Sequence, residues 1–318
     1  MKGGVGTGVE MVWLNADGVE RPVGARLANY RDPRLSPSGR KVVVTVMTST
    51  GDIWVYDLER GAMSRVTFEA SNEIDPLWSP DGEYVTYSAV EPGQPSTVFL
   101  RRADGTGAAQ KLITAEQGES LIPFSWHPEG RALALIRRQL GVAAVASDVV
   151  IAEFSGDHGT RMKLREMVAF ASSPFTDSEP AFSPDGKWLA YQSNETGRNE
   201  IYVSGYPGPS GRWQVSTAGG MFPTWGHDGR TLYFKTLDQQ IMAITYSSAR
   251  GAFEASAPRL WSATRLDDLG LVVRSFDVHP DGRMLVLRAP DDERSNTVKF
   301  TLIPDFLAEL RRLAPVTK

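Results

Sequence analysis

The chain has 318 residues, with 41% hydrophobic and 23% charged side chains, a balance typical of a globular protein with a sizeable core. Its 34 Lys and Arg against 38 Asp and Glu leave a net charge of −4, so it lacks the basic footprint of a nucleic-acid-binding protein. Cysteine is absent, which excludes disulfides, thiolate metal sites and a cysteine nucleophile.

Residues 1–10 carry one Lys and no apolar run, so they read as a flexible tail and not as a secretory signal. No stretch of 18 apolar residues follows, and no membrane insertion by this chain is expected. Two strand-like segments come first, Glu10–Leu14 and Glu20–Val23. A short pattern then recurs six times: a bulky apolar residue, two short positions, an acidic or small residue, and Gly. The copies are Leu35-Ser36-Pro37-Ser38-Gly39, Trp78-Ser79-Pro80-Asp81-Gly82, Trp126-His127-Pro128-Glu129-Gly130, Phe182-Ser183-Pro184-Asp185-Gly186, Trp225-Gly226-His227-Asp228-Gly229 and Val278-His279-Pro280-Asp281-Gly282. The anchor glycines are 43, 48, 56, 43 and 53 residues apart, the length of one four-stranded propeller blade. Pro presets φ for a tight turn and Gly supplies a positive φ, so each anchor reads as strand, turn, strand.

β-branched and aromatic runs follow each anchor, such as Val42–Val46, Tyr84–Tyr87 and Leu232–Phe234. Third strands follow at Asp52–Asp57, Thr97–Leu100, Asp148–Ile151, Glu200–Val203, Gln240–Ile244 and Thr297–Phe300, and fourth strands are visible at Ser64–Thr67, Gln110–Thr114 and Arg212–Ser216. The fold class is therefore all-β, a six-bladed propeller over 11–303. An open array would expose two sheet edges, and the N-terminal segment is expected to supply the outermost strand of the last blade and close the ring. The repeated Trp54, Trp78, Trp126, Trp188 and Trp225 are expected between blades. Residues 304–318 read as a short C-terminal helix and tail, with Phe306, Leu307, Leu310 and Leu313 on one face.

The Trp-Ser-Pro-Asp-Gly anchors with strands such as Asp52-Ile53-Trp54-Val55-Tyr56-Asp57-Leu58 resemble the TolB-like propeller family. The stretch Ser193–Val203, continuing to Thr217, and the closing Asp305–Pro315 are similar to the C-terminal propeller of bacterial transmembrane serine/threonine protein kinases. That resemblance covers about residues 11–315. It implies a sensor beyond the membrane, extracytoplasmic if a kinase and a span lie upstream, and cytoplasmic if Met1 is the native start. No kinase motif is present, so kinase activity is not implied.

Propellers of this kind bind at the channel mouth. The residue three before each bulky anchor residue is Asp32, Asp75, Pro123, Glu179, Phe222 or Ser275. With Met221 and Arg274 beside the last two, Asp32, Asp75, Glu179, Met221, Phe222 and Arg274 form the candidate ligand-binding set, suited to a peptide or a small polar ligand. His127 and His279 sit in turns of opposite blades, too far apart to share a metal, and no cofactor is implied. No Gly-x-Ser-x-Gly, His-Glu-x-x-His or EF-hand loop occurs, and Gly4–Gly8 and Ser38–Lys41 lack the helical setting of the motifs they imitate. The reading is a non-catalytic binding or sensor propeller that recognises a protein, a peptide or a small ligand. The alternatives are a free-standing TolB-like envelope interaction protein, or a propeller hydrolase or lyase using the channel carboxylates.

Overall fold

A computed structural model describes residues 8–141, 147–156, 158, 162–208, 211–248, 252–270 and 273–290. Strands β1 (Glu10–Leu14) and β2 (Glu20–Pro22) precede five sheets formed in chain order. Blade one is β3 (Tyr30–Leu35), β4 (Lys41–Met47), β5 (Gly51–Asp57) and β6 (Ala62–Arg65). Blade two is β7 (Asn72–Trp78), β8 (Tyr84–Val90), β9 (Thr97–Arg102) and β10 (Gln110–Thr114). Blade three is β11 (Glu119–Trp126), β12 (Ala132–Gln139), β13 (Ser147–Ser155) and β14 (Lys163–Ala171). Blade four is β15 (Asp177–Phe182), β16 (Trp188–Ser193), β17 (Glu200–Gly205) and β18 (Arg212–Gln214). Blade five is β19 (Met221–Trp225), β20 (Thr231–Lys235), β21 (Ile241–Ser247), β22 (Glu254–Ala255) and β23 (Arg259–Leu260), the last two both pairing with β21. Blade six combines β24 (Phe276–Val278) and β25 (Met284–Arg288) with the N-terminal pair, in the order β24-β25-β1-β2.

The closing register runs from Glu10 opposite Arg288 to Leu14 opposite Met284. The N-terminal segment thus supplies two strands of the last blade, where one was expected. The place beside β25 assigned in sequence to Thr297–Phe300 is taken by β1. That segment and the helix expected after residue 304 lie outside the described residues. No helix occurs among the described residues, and none there is long and apolar enough to cross a membrane. The first strands of successive blades touch in a closed cycle, β3 to β7, β11, β15, β19, β24 and back to β3. The all-β six-bladed propeller read from the anchors is the fold.

The anchor turns show why their sequence recurs. All six anchor glycines have φ between 66° and 91°, the region open to Gly at no steric cost. In blade two the Ser79 hydroxyl accepts from the Tyr84 N–H at 3.0 Å, and Asp81 accepts from the Glu83 N–H at 2.9 Å. Ser183 and Asp185 repeat the device in blade four. Where His replaces Ser, His127 Nδ1 accepts the Glu129 N–H, and His279 Nδ1 lies 2.7 Å from the Asp281 carboxylate. In both, Nε2–H donates to the neighbouring blade's anchor carbonyl, Gly186 and Gly39 respectively, at 3.2 Å.

Between blades the core is apolar, with Val98, Leu133 and Val150 joining blades two and three and Phe234, Ile244 and Val203 joining four and five. Each boundary also carries a hydrogen bond near the anchor. The Trp78 indole donates to the Arg34 carbonyl at 3.0 Å, Trp126 to the Thr86 hydroxyl at 2.9 Å and Trp225 to the Ala181 carbonyl at 2.8 Å. Where the anchor is not Trp, its backbone N–H serves: Leu35 donates to Asp277 at 2.7 Å and Phe182 to Ser125 at 3.0 Å. The sixth boundary uses the Arg274 guanidinium on the Thr224 hydroxyl at 2.7 Å. Trp225→Phe keeps most of the ring but removes the indole donor, so it is expected to lower unfolding free energy by about 1 kcal/mol. Trp225→Ala should lower it by about 3–5 kcal/mol. Urea unfolding followed by far-ultraviolet circular dichroism separates the two.

Candidate functional site in the central channel

The inner strands of blades one to five share an irregularity two to three residues before the anchor. Register slips between Arg31 and Arg34, Ile74 and Leu77, Pro123 and Ser125, Ser178 and Ala181, and Met221 and Thr224. Asp32, Asp75, Glu179 and Phe222 stand at this bulge with φ of 52°, 55°, 54° and 56°. Positive φ in a non-glycine residue ahead of Pro costs backbone energy, and four repetitions at one position mark a constrained feature of the channel. The bulges re-aim these side chains. Asp32, Asp75, Glu179, Phe222 and Pro123, from five blades, line one chamber of about 20 Å³ together with Arg34 and Arg274.

Three carboxylates and several cations share this chamber. The Arg274 backbone N–H donates to Asp32 at 3.2 Å, and its Nη2 lies 3.8 Å from Glu179 Oε2. Burial pushes the Glu179 carboxyl up to about 7 against the pull of Arg274 and Arg34. Burial also holds Asp75 well above the usual carboxylate range, helped by Asp32 and Glu179, while Arg34 and Arg138 oppose it. Asp32 is raised by burial, with Arg34 the largest opposing charge. Burial, then repulsion from Arg34, lowers Arg274 to about 10. Lys235, 1% exposed, is lowered by burial, and its ammonium sits 5.1 Å from the centre of the Phe222 ring.

Five of the six candidate residues therefore converge. Met221 does not: it is 1% exposed, lies in the core between blades five and six, and lines neither channel cavity. Phe222 belongs to the same core cluster but also borders the chamber, whereas Met221 packs in the core alone. Arg34, Arg138 and Lys235 were missed in the sequence. Lys235 left a signal, a lone charge closing the otherwise uncharged buried strand Thr231–Lys235. Among the described residues no group of three or more His, Asp or Glu could hold a metal ion.

The wider opening lies on the anchor side of the chamber. A vestibule of about 410 Å³ is lined by all six blades, through Leu35, Trp78, Trp126, Phe182, Trp225 and Asp277. Arg34 and Phe124 line both spaces and mark the passage between them. The vestibule is thus aromatic and apolar at its wall and charged at its floor. The Nε–H groups of Arg34 and Arg274 are buried and meet no acceptor among the described residues.

No family model matches the chain. It is 27% identical over 202 residues to the uncharacterized peptidase YuxL of Bacillus subtilis, covering 54% of this chain and 30% of the relative. It is 29% identical over 227 residues to the Tol-Pal system protein TolB of Bordetella pertussis, covering 59% of this chain and 52% of the relative. The chain thus spans about a third to a half of the length of these curated relatives. A structure solved under the name TolB from Agrobacterium tumefaciens superposes with a TM-score of 0.62 at 18% identity, over 89% of this chain and 99% of that one. The periplasmic gluconolactonase PpgL of Pseudomonas aeruginosa gives 0.55 at 19% identity, over 88% of each. The fold is that of the TolB-like six-bladed β-propellers.

Linkage fixes a pH signature for the chamber. Glu179 binds its proton more tightly folded, at about 7, than an unfolded glutamate does. Its contribution is fully present below the unfolded pKa and is lost as pH rises through about 7. Glu179→Gln should flatten the decline in stability between about pH 4.5 and 7 by roughly 1–3 kcal/mol. Urea midpoints measured across pH 4–8 for both chains check this, and an unchanged slope would refute it.

Proposed function

We propose that this chain is a recognition propeller whose central channel receives a segment of a protein or peptide through the anchor-side vestibule. The observation that carries this reading is the pair of buried, unsatisfied guanidinium N–H groups of Arg34 and Arg274 behind that opening. Buried donors without acceptors are costly, and a ligand that supplies acceptors removes the cost. The vestibule, at about 410 Å³, falls in the ordinary range of ligand sites and offers flat aromatic walls to apolar groups. The likeness to TolB, a protein named for a multi-component system, supports protein recognition. In this reading the chain is non-catalytic. It serves as the sensor or interaction part of a bacterial signalling or envelope protein, consistent with its resemblance to receptor-kinase propellers.

A second reading rests on Glu179. A carboxyl held near neutrality by burial, beside two further carboxylates, is suited to general acid–base work of the kind lyases and hydrolases use. The peptidase and lactonase names among the similar proteins keep this reading in view. It requires turnover with a pH limb near 7 that disappears in Glu179→Gln.

Ala181 lines the vestibule, where its methyl group packs at the edge of the blade four–five core and its backbone carbonyl accepts from Trp225. Ala181→Trp therefore fills the opening while leaving that bond in place. Peptides selected by display on the wild-type chain should bind Ala181→Trp at least about tenfold more weakly, the loss of roughly one buried anchor. Selected peptides that bind both chains equally would place recognition elsewhere.

A further inference from the structure

Blades two and four contain the same aromatic frame, and only blade four covers it with an arginine from its fourth strand. In blade four, Tyr191 and Tyr202 are adjacent on β16 and β17, with rings stacked at 6.0 Å. Arg212 lies over them: its guanidinium carbon is 3.9 Å from the Tyr202 ring centre, its Nε donates to the Tyr191 hydroxyl at 2.8 Å, and its Nη1 pairs with Glu195 at 2.9 Å. One guanidinium thus receives a ring face, a hydroxyl acceptor and a carboxylate. The cleft beside it measures about 410 Å³.

Counting from the anchor glycines, Tyr87 stands where Tyr191 does and Glu91 where Glu195 does. Phe99 pairs with Tyr87 across β8 and β9 as Tyr202 pairs with Tyr191, and the two rings stack at 5.8 Å. The fourth strands align as well. Gln214 faces Tyr202, Lys111 faces Phe99, and two residues earlier come Arg212 in one blade and Ala109 in the other. Where blade four supplies an arginine, blade two supplies a methyl group.

The result is an open cleft of about 830 Å³ on blade two, twice the size of its counterpart. It is lined by Tyr87, Phe99, Ala109 and three carboxylates, Glu69, Glu73 and Glu91, against one cation, Lys111. Arg101 does not replace Arg212. Its guanidinium is paired to Glu69 at 2.7 Å, stacks on Phe68 and acts on the Tyr87 hydroxyl from outside the cleft lining, so the Phe99 face and Glu91 are the part of the frame left to a ligand.

We propose that the blade-two cleft binds a guanidinium group brought by a ligand, held as Arg212 is held in blade four. The head group stacks on Phe99 as a cation over an aromatic face, and Glu91 accepts its N–H bonds as a charge-assisted partner. The ligand is either a free guanidino compound or an arginine side chain of a peptide, and the cleft is large enough for both.

Isothermal titration with agmatine and with the tripeptide amide Gly-Arg-Gly tests the proposal and separates the two sources by their relative affinities. The wild-type chain is expected to bind at one saturable site. Ala109→Arg places the chain's own guanidinium in the frame and should abolish that binding. Glu91→Gln, at an exposed position, should weaken it about tenfold without altering thermal unfolding, which keeps the test valid if Ala109→Arg folds poorly. Arg212→Ala opens the second frame and should raise the stoichiometry from one to two. Absence of saturable binding of both probes to the wild type, or binding that is unchanged in a folded Ala109→Arg and in Glu91→Gln, overturns the proposal.

Discussion

The residue before each anchor hands a hydrogen-bond acceptor to the next blade. Arg34 and Ala181 do so by their carbonyls, and Ser125, Thr224 and Asp277 by their side chains. Leu77 is the exception, and there the Trp126 indole donates to Thr86 instead. Each bond contributes only about 1 kcal/mol net, and its larger effect is geometric. Apolar packing between blades is tolerant of small rotations, whereas a donor and an acceptor under about 3 Å fix where two inner strands meet. The anchor residues are thereby held at a common radius, and the vestibule that they wall off exists because of it.

A symmetric scaffold holds an asymmetric site. The bulge position is the same in each of blades one to five, yet it carries Asp, Asp, Pro, Glu and Phe in turn. Five equivalent carboxylates in so small a chamber could not all ionise. Three of them, opposed by Arg34, Arg138 and Arg274, can be balanced. The arrangement still leaves unmatched groups of both kinds, because the Nε–H groups of Arg34 and Arg274 find no acceptor and Glu179 Oε2 finds no donor among the described residues. A ligand with polar groups satisfies those atoms better than an apolar one. The apolar walls ahead of the chamber then select for a ligand that has both characters.

The fold was legible because its signal repeats. Turn chemistry, β-branched strands and near-constant spacing each recur six times, and agreement among them outweighs any single ambiguous segment. Alignment on the anchors also located Asp32, Asp75, Glu179 and Phe222, since a shared offset along equivalent strands becomes a shared depth in the channel. Met221, added only as the neighbour of Phe222, carries no shared offset and lies in the core. The alignment missed Arg34, which sits on the passage but carries no repeat signature. The two aromatic frames were hidden for another reason. They arise from residues on three strands of one blade, and no local motif joins Tyr87, Phe99 and Ala109.

Blade six is built from the two ends of the described chain, with Val12 opposite Val286. Every other blade pairs strands close in sequence, so it can form as its segment becomes available. The closing pair must instead bring together residues about 270 positions apart, a contact of very high order that forms late. Until then the edge of β25 is an unpaired, apolar template: Met284, Leu285, Val286 and Leu287 become fully buried only when β1 arrives. A β1 from another copy carries the same residues in the same register. The register that closes the ring is therefore one that a neighbour's N-terminal strand fits as well as the chain's own. The strand that completes the monomer is thus also the element through which two chains would exchange ends into a swapped dimer.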